Sequence, residues 1–170
     1  PELYYLSIFG TPDLKGSWGW RVEGHHLSIN VTVSGGKAVS ATPAFMGANP
    51  GEVKSGPRTG LRILGNDEEM GRALIKSLKP EQQAVAITTK DAPKEVILVP
   101  DQKVRTLDPA GIAWGKMDAA QQEQLWTIIK EYAQRLRSEL AEQDLAKIEK
   151  AGKDKVSFAW AGGLERGEPH

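Results

Sequence analysis

The first third of the chain alternates apolar and polar residues. Residues 18–23 and 27–33 both have this period of two, which is typical of strands with one buried face. The apolar positions change from even to odd numbers after Gly24, so we predict a β-bulge there within a longer strand. Residues 4–9 and 38–42 are predicted as further strands of an antiparallel meander, with a two-residue hairpin at Gly35-Gly36.

The rest of the chain contains apolar residues at helical spacing. One helix is predicted to begin at Asn66 or Asp67 and to end near Leu78, and the longest is predicted to begin after Asp118, with Gln121 completing a capping box. A brief helical turn at Pro80 and a helix from Ser138 to a C-cap at Gly152 are also expected. The remaining predictions are a covering or functional loop over 43–60 and short strands over 61–64, 84–88, 96–99 and 156–160.

These elements together predict an α+β fold. A mainly antiparallel, twisted sheet is expected to be covered on one side by the helices near 67–78 and 118–150. At 170 residues, the chain is expected to form a single domain spanning 1–170.

Composition excludes several classes of function. Lys and Arg number 22 and so do Asp and Glu, so the zero net charge favours neither nucleic acid nor an anionic membrane as a partner. The apolar stretches are too short for a spanning helix, so no membrane insertion is expected. Because the chain has no Cys, it has no disulfide, thiolate metal site or Cys nucleophile. No targeting segment is visible from Pro1 onwards, which leaves the compartment open, export included.

The histidines are the first candidates for chemistry. His25, His26 and His170 are all the histidines of the chain, and imidazole suits Zn or Cu. We therefore predict a metal site formed by these three residues, with Glu23 as a further ligand or general base and Arg21 orienting an anionic group of an unidentified small-molecule or polymer substrate. The alternative is that one histidine is a hydrogen-bonded core residue and the others are exposed.

The tryptophans support a second interpretation from a different class. Trp18 and Trp20, with the loop 43–60, are predicted to form a non-catalytic surface for a flat or sugar-like ligand or for a protein. Their spacing is equally what the core of a sheet requires, so both roles stay open.

Three segments resemble a family of uncharacterised bacterial proteins, DUF3500. They are Trp18-Gly19-Trp20-Arg21-Val22-Glu23-Gly24-His25-His26-Leu27-Ser28-Ile29-Asn30, Thr42-Pro43-Ala44-Phe45-Met46-Gly47-Ala48-Asn49-Pro50, and Phe158-Ala159-Trp160-Ala161-Gly162 with Gly167-Glu168-Pro169-His170. The resemblance implies a fragment that lacks the family's N-terminal part and a later segment rich in Asn and His. It implies no reaction, but the later segment would add imidazoles to the predicted metal site.

Overall fold

The chain contains both an antiparallel sheet and several helices, which confirms the α+β prediction. The computed structural model describes residues 3–94 and 110–170, so the predicted strand 96–99 lies outside the described residues. Two compact units are formed, the first by Pro1–Asn66 with Ala133–Asp144 and the second by Asp67–Tyr132 with Leu145–His170. That 1–170 is a single domain stays a prediction.

The first unit contains a five-stranded antiparallel sheet. Its strands are β1 (Tyr5–Phe9), β2 (Ser17–Gly24), β3 (Leu27–Ser34), β4 (Lys37–Ser40) and β5 (Ala44–Met46). They lie in the order β1-β2-β3-β4, and β5 pairs with the first part of β3. Gly35 and Gly36 join β3 to β4 with φ values of 57° and 73°, so the predicted hairpin is confirmed.

The predicted bulge at Gly24 is wrong. β2 and β3 are separate strands in which Gly24 pairs with Leu27, and His25 and His26 form the two-residue turn between them. Reversal of the chain at this turn moves the apolar positions from even to odd numbers without an extra residue. An irregularity of register does occur in β3, between Thr32 and Val33 where it pairs with β4.

The other elements are helices and very short strands. They are α1 (Gly65–Ser77), α2 (Pro80–Ala86), β6 (Ile87–Thr89), β7 (Ile112–Ala113), α3 (Ala119–Ala133), α4 (Ser138–Ala151), β8 (Ser157–Phe158) and β9 (Trp160–Ala161). β6 pairs with β9 in parallel, and β7 pairs with β8 antiparallel. The prediction of a strand over 84–88 is wrong in its first half, where α2 continues. The predicted strand over 61–64 is also wrong, because these residues lead through a turn into α1. No helix among the described residues is long and apolar enough to cross a membrane.

The main hydrophobic core lies in the second unit. Leu74 and Ile75 of α1 are completely buried, and Leu125 of α3 and Trp160 of β9 pack into the same cluster. Its other buried members are Leu78, Ala86, Ile112 and Met117. Of the apolar stripe Met70, Ala73, Leu74 and Leu78 predicted on α1, Leu74 and Leu78 face this core, whereas Ala73 is exposed.

A pair of glutamines, the buried Gln121 and the half-buried Gln82, connects the beginnings of α2 and α3. The predicted capping box is confirmed. Asp118 Oδ1 accepts a hydrogen bond from the backbone N–H of Gln121 at 3.0 Å, and Gln121 Oε1 accepts one from the backbone N–H of Asp118 at 3.0 Å. Gln82 Oε1 accepts from the Lys79 backbone N–H at the start of α2. The two glutamine amides also donate to each other's oxygen at 3.0 Å, and Gln121 Nε2 donates to Ser77 O at 2.9 Å. One buried side chain thus satisfies polar groups of three helical segments.

Gln121→Ala is expected to lower the free energy of unfolding by about 1–3 kcal/mol, because it removes a buried side chain and leaves the Ser77 carbonyl and the Gln82 amide without this partner at a partly buried position. Urea denaturation followed by circular dichroism measures the change. Gln143→Ala, an exposed glutamine of α4, is the matched control and is expected to change stability by less than about 0.5 kcal/mol. Equal small losses in both variants would contradict the role of Gln121.

Candidate functional site

The register of the sheet separates polar from apolar side chains. Residues directly opposite each other in an antiparallel pair project from the same face. The polar face, as we call it, contains Ser7 of β1, Arg21 and Glu23 of β2, and Ser28, Asn30 and Thr32 of β3. The apolar face contains Leu6, Ile8, Trp18, Trp20, Val22, Leu27, Ile29, Val31, Val33, Ala44 and Met46.

An ion pair occupies the centre of the polar face. Arg21 Nη2 lies 2.8 Å from Glu23 Oε1, and both side chains are about one-third exposed, at 35% and 36%. The Arg21 guanidinium also lies over the Phe9 ring, with Cζ 5.4 Å from the ring centroid. Arg21 Nε is buried and has no hydrogen-bond partner among the described residues. The structure therefore brings together the two residues that were predicted to have catalytic roles.

Asn30 is held beside this ion pair by hydrogen bonds. Its Nδ2 donates to Ser28 Oγ at 3.2 Å and to Pro43 O at 2.8 Å. Both amide N–H groups are then used, and Oδ1 is the remaining acceptor of this side chain. The polar face thus combines fixed donors and acceptors with one charge of each sign.

Exposed aromatic rings flank the polar groups. Tyr5 and Phe9 on β1 are 55% and 50% exposed, and Phe45 on β5 is 43% exposed. Tyr5 lies opposite Glu23, Glu23 lies opposite Ser28, and Ser28 lies opposite Phe45. This row of four residues crosses three inter-strand spacings, so its aromatic ends are about 14 Å apart. We call Tyr5, Phe9 and Phe45 the aromatic rim.

The apolar face has a different environment. Arg135 Nη1 lies 3.7 Å from Met46 Sδ, so the segment 133–144 of the same unit approaches the sheet at an apolar-face residue. Trp18 and Trp20 are half-buried on this face, and Trp18 Nε1 donates to Asp13 O at 3.1 Å. Their predicted binding role stays a prediction, while the exposed aromatic side chains of the opposite face belong to the rim.

His25 and His26 are neighbours in the turn between β2 and β3. Their ring centroids lie 4.1 Å apart and the rings are inclined at 63°. The backbone N–H of Gly47 donates to His26 O at 2.9 Å, which ties the turn to the end of β5. The turn places both imidazoles at the end of the hairpin that also contains Arg21 and Glu23.

His170 belongs to the second unit and has its own set of contacts. Its ring stacks on Trp160, with centroids 5.1 Å apart and planes 3° from parallel. Its Nδ1 lies 2.9 Å from Glu168 O, and its Nε2 lies 4.0 Å from Glu68 Oε1. Because a carbonyl oxygen only accepts, Nδ1 carries a proton in this bond, and Nε2 is the nitrogen directed towards Glu68.

Ion pairs connect α1 to the segment that follows β9 in the second unit. Arg72 is only 5% exposed, pairs with Glu68, and donates from Nη1 to Leu164 O at 2.8 Å. Lys76 Nζ donates a hydrogen bond to Glu165 Oε1 at 2.8 Å. This hydrogen bond and the positive charge of Lys76 both lower the pKa of the Glu165 carboxyl below its usual value. The ion pairs fix the segment that follows β9 to α1.

The predicted triad of histidines is divided between the two units. No group of three or more His, Asp or Glu side chains placed to hold a metal ion is found within residues 3–94 and 110–170. A shared site of His25, His26 and His170 therefore stays a prediction.

Sequence reasoning missed the residues that complete the polar face. Ser7, Ser28 and Asn30 lie beside the ion pair, and Phe45 lies in a segment that was predicted as a loop. Interpreting His25-His26 as a two-residue turn would have found Ser28 and Asn30, since that turn makes Glu23 the neighbour of Ser28 and Arg21 the neighbour of Asn30.

The sheet, its polar face and the helical second unit define an α+β protein with a candidate binding surface. The family model for proteins of unknown function DUF3500 matches residues 2–170, and the chain belongs to this family. No curated protein and no solved structure shows significant similarity to the chain.

Proposed function

We propose that this chain is a carbohydrate-binding domain and that the ligand lies across the polar face. The row from Tyr5 through Glu23 and Ser28 to Phe45 is the observation that carries the proposal. It places hydrogen-bonding groups between two exposed aromatic rings on a rigid sheet. A chain of sugar rings offers the complementary surface, because it has hydroxyl groups at its edges and apolar C–H faces.

The charges of the polar face favour a neutral ligand. Arg21 and Glu23 neutralise each other at 2.8 Å, so the pair presents donors and acceptors without a net charge. Asn30 Oδ1 and the Ser and Thr hydroxyls extend this set of groups, and a hydroxyl of the ligand can both donate and accept. A phosphate or carboxylate would instead compete with Glu23 for the guanidinium.

The aromatic rim supplies contact area at low entropic cost. Each ring has few rotatable bonds and is about half exposed, so a flat apolar face of the ligand removes further area from water when it stacks there. Phe45 is the ring best suited to a test, because it lies at the opposite end of the row from the edge strand β1.

Phe45→Ala and Arg21→Gln are each expected to weaken binding of a neutral oligosaccharide about tenfold, which corresponds to ~1.4 kcal/mol. Isothermal titration calorimetry with cello-, xylo-, chito- and malto-oligosaccharides measures the affinity. Tyr132→Ala, which removes an exposed ring of α3, is the matched control and is expected to leave the affinity unchanged. Failure of the whole panel to bind, or equal affinity of the Phe45 variant and the unaltered chain, would contradict the proposal.

We propose metal binding as a second candidate function, favoured by the contact between the His25 and His26 rings at the β2–β3 turn. Two imidazoles are a partial ligand set for Zn or Cu, and water or a bound substrate would complete it. His170 is proposed as a third ligand. In the metal-dependent enzyme that this candidate implies, Glu23 is a ligand or general base and Arg21 orients an anionic group.

The metal candidate predicts a stoichiometric signal in titrations with Zn or Cu. His25→Ala and His26→Ala are each expected to abolish that signal, and His170→Ala is expected to weaken it if this residue is the third ligand. Competition with a chromophoric chelator measures the affinity. Substoichiometric binding that is the same in all three variants would remove this candidate.

A further inference from the structure

We propose that β1 is a self-pairing edge through which two copies of this chain form a symmetric dimer with one continuous sheet. The inference concerns assembly, and it shares Tyr5 and Phe9 with the aromatic rim. Among the described residues, β1 pairs only with β2, so its other edge presents backbone N–H and C=O groups without a strand partner. Such an edge is a template for another strand.

The edge strand is uncharged, and it carries large aromatic or aliphatic side chains on both faces. Leu6 and Ile8 on the apolar face are 66% and 55% exposed, while Tyr5 and Phe9 on the polar face are 55% and 50% exposed. Natural edge strands are usually protected by charged residues, prolines or bulges. β1 contains none of these, and its pairing with β2 is regular along its whole length. This composition is typical of a strand that is covered by a partner.

The order of residues in β1 selects a second copy as that partner. In an antiparallel pair centred on Ser7, Tyr5 of one copy lies opposite Phe9 of the other, and Leu6 lies opposite Ile8. Each of these pairs thus combines two aromatic or two aliphatic side chains. Ser7 of one copy lies opposite Ser7 of the other. Cross-strand pairs of these kinds stabilise antiparallel sheets. The strand is therefore complementary to itself, as an isologous two-fold interface requires.

The register also preserves both faces of the sheet. Odd-numbered residues lie opposite odd-numbered residues, so the polar face and the apolar face each continue across the two-fold axis. Pairing of the two edges brings the exposed side chains of Tyr5 and Phe9 on one face, and of Leu6 and Ile8 on the other, into contact with their cross-strand neighbours.

A charge-exchange experiment at Ser7 tests the dimer, because this position is predicted to lie opposite itself. The unaltered 170-residue chain is expected to sediment at twice the 18.5 kDa monomer mass. Ser7→Lys and Ser7→Asp are each expected to sediment as monomers, since like charges directly opposite destabilise a strand pair. An equimolar mixture of the two variants is expected to recover the dimer through the opposite charges.

Ser40→Lys is the matched control. It also replaces a serine by lysine on the polar face, but Ser40 lies in β4, at the opposite edge of the sheet from β1. It is expected to remain dimeric. Circular dichroism of each variant checks that the sheet is intact, and recovery of the dimer in the mixture cannot come from unfolded chains. A monomeric unaltered chain at high micromolar concentration, or a dimer that persists in Ser7→Lys, would overturn the proposal.

Discussion

The register between β2 and β3 is the constraint on which the candidate site depends. A two-residue turn at His25 and His26 makes Arg21 the neighbour of Asn30 and Glu23 the neighbour of Ser28. Because side chains alternate along a strand, a shift of one residue in β3 would move Ser28 and Asn30 to the other face and bring Ile29 beside the ion pair. The polar face exists only in the register that this turn sets.

The two units differ in how deeply their apolar side chains are buried. The completely buried side chains lie in the second unit, where the glutamine pair also connects the beginnings of α2 and α3. The sheet of the first unit has exposed rings on one face and a half-exposed edge strand. Large apolar side chains that stay in contact with water and cluster on one surface are typical of interaction surfaces. The proposals for a ligand and for a second copy both rest on the exposed rings and the edge strand of this sheet.

Local patterns predicted most of the secondary structure. The strands β1 to β4, the Gly35-Gly36 hairpin and the capping box of Asp118 followed from alternation, turn chemistry and hydrogen-bonding capacity, which act over a few residues. β5 was missed because its three residues are recognisable only through their pairing with β3. The extended segment predicted over 84–88 began too early because α2 packs into the core as far as Ala86, and packing overrides local preference.

The candidate site was predictable only in part, for the same physical reason. Arg21 and Glu23 were recognised because they lie close together in one alternating segment, whereas Phe45 reaches their face through pairing of distant parts of the chain. The most direct measurement is therefore the set of inter-strand nuclear Overhauser effects in the isotope-labelled chain. The account predicts contacts between the backbone protons of Arg21 and Asn30 and between those of Ser28 and Phe45. Contacts that instead pair Arg21 with Ile29 or Val31 would contradict it.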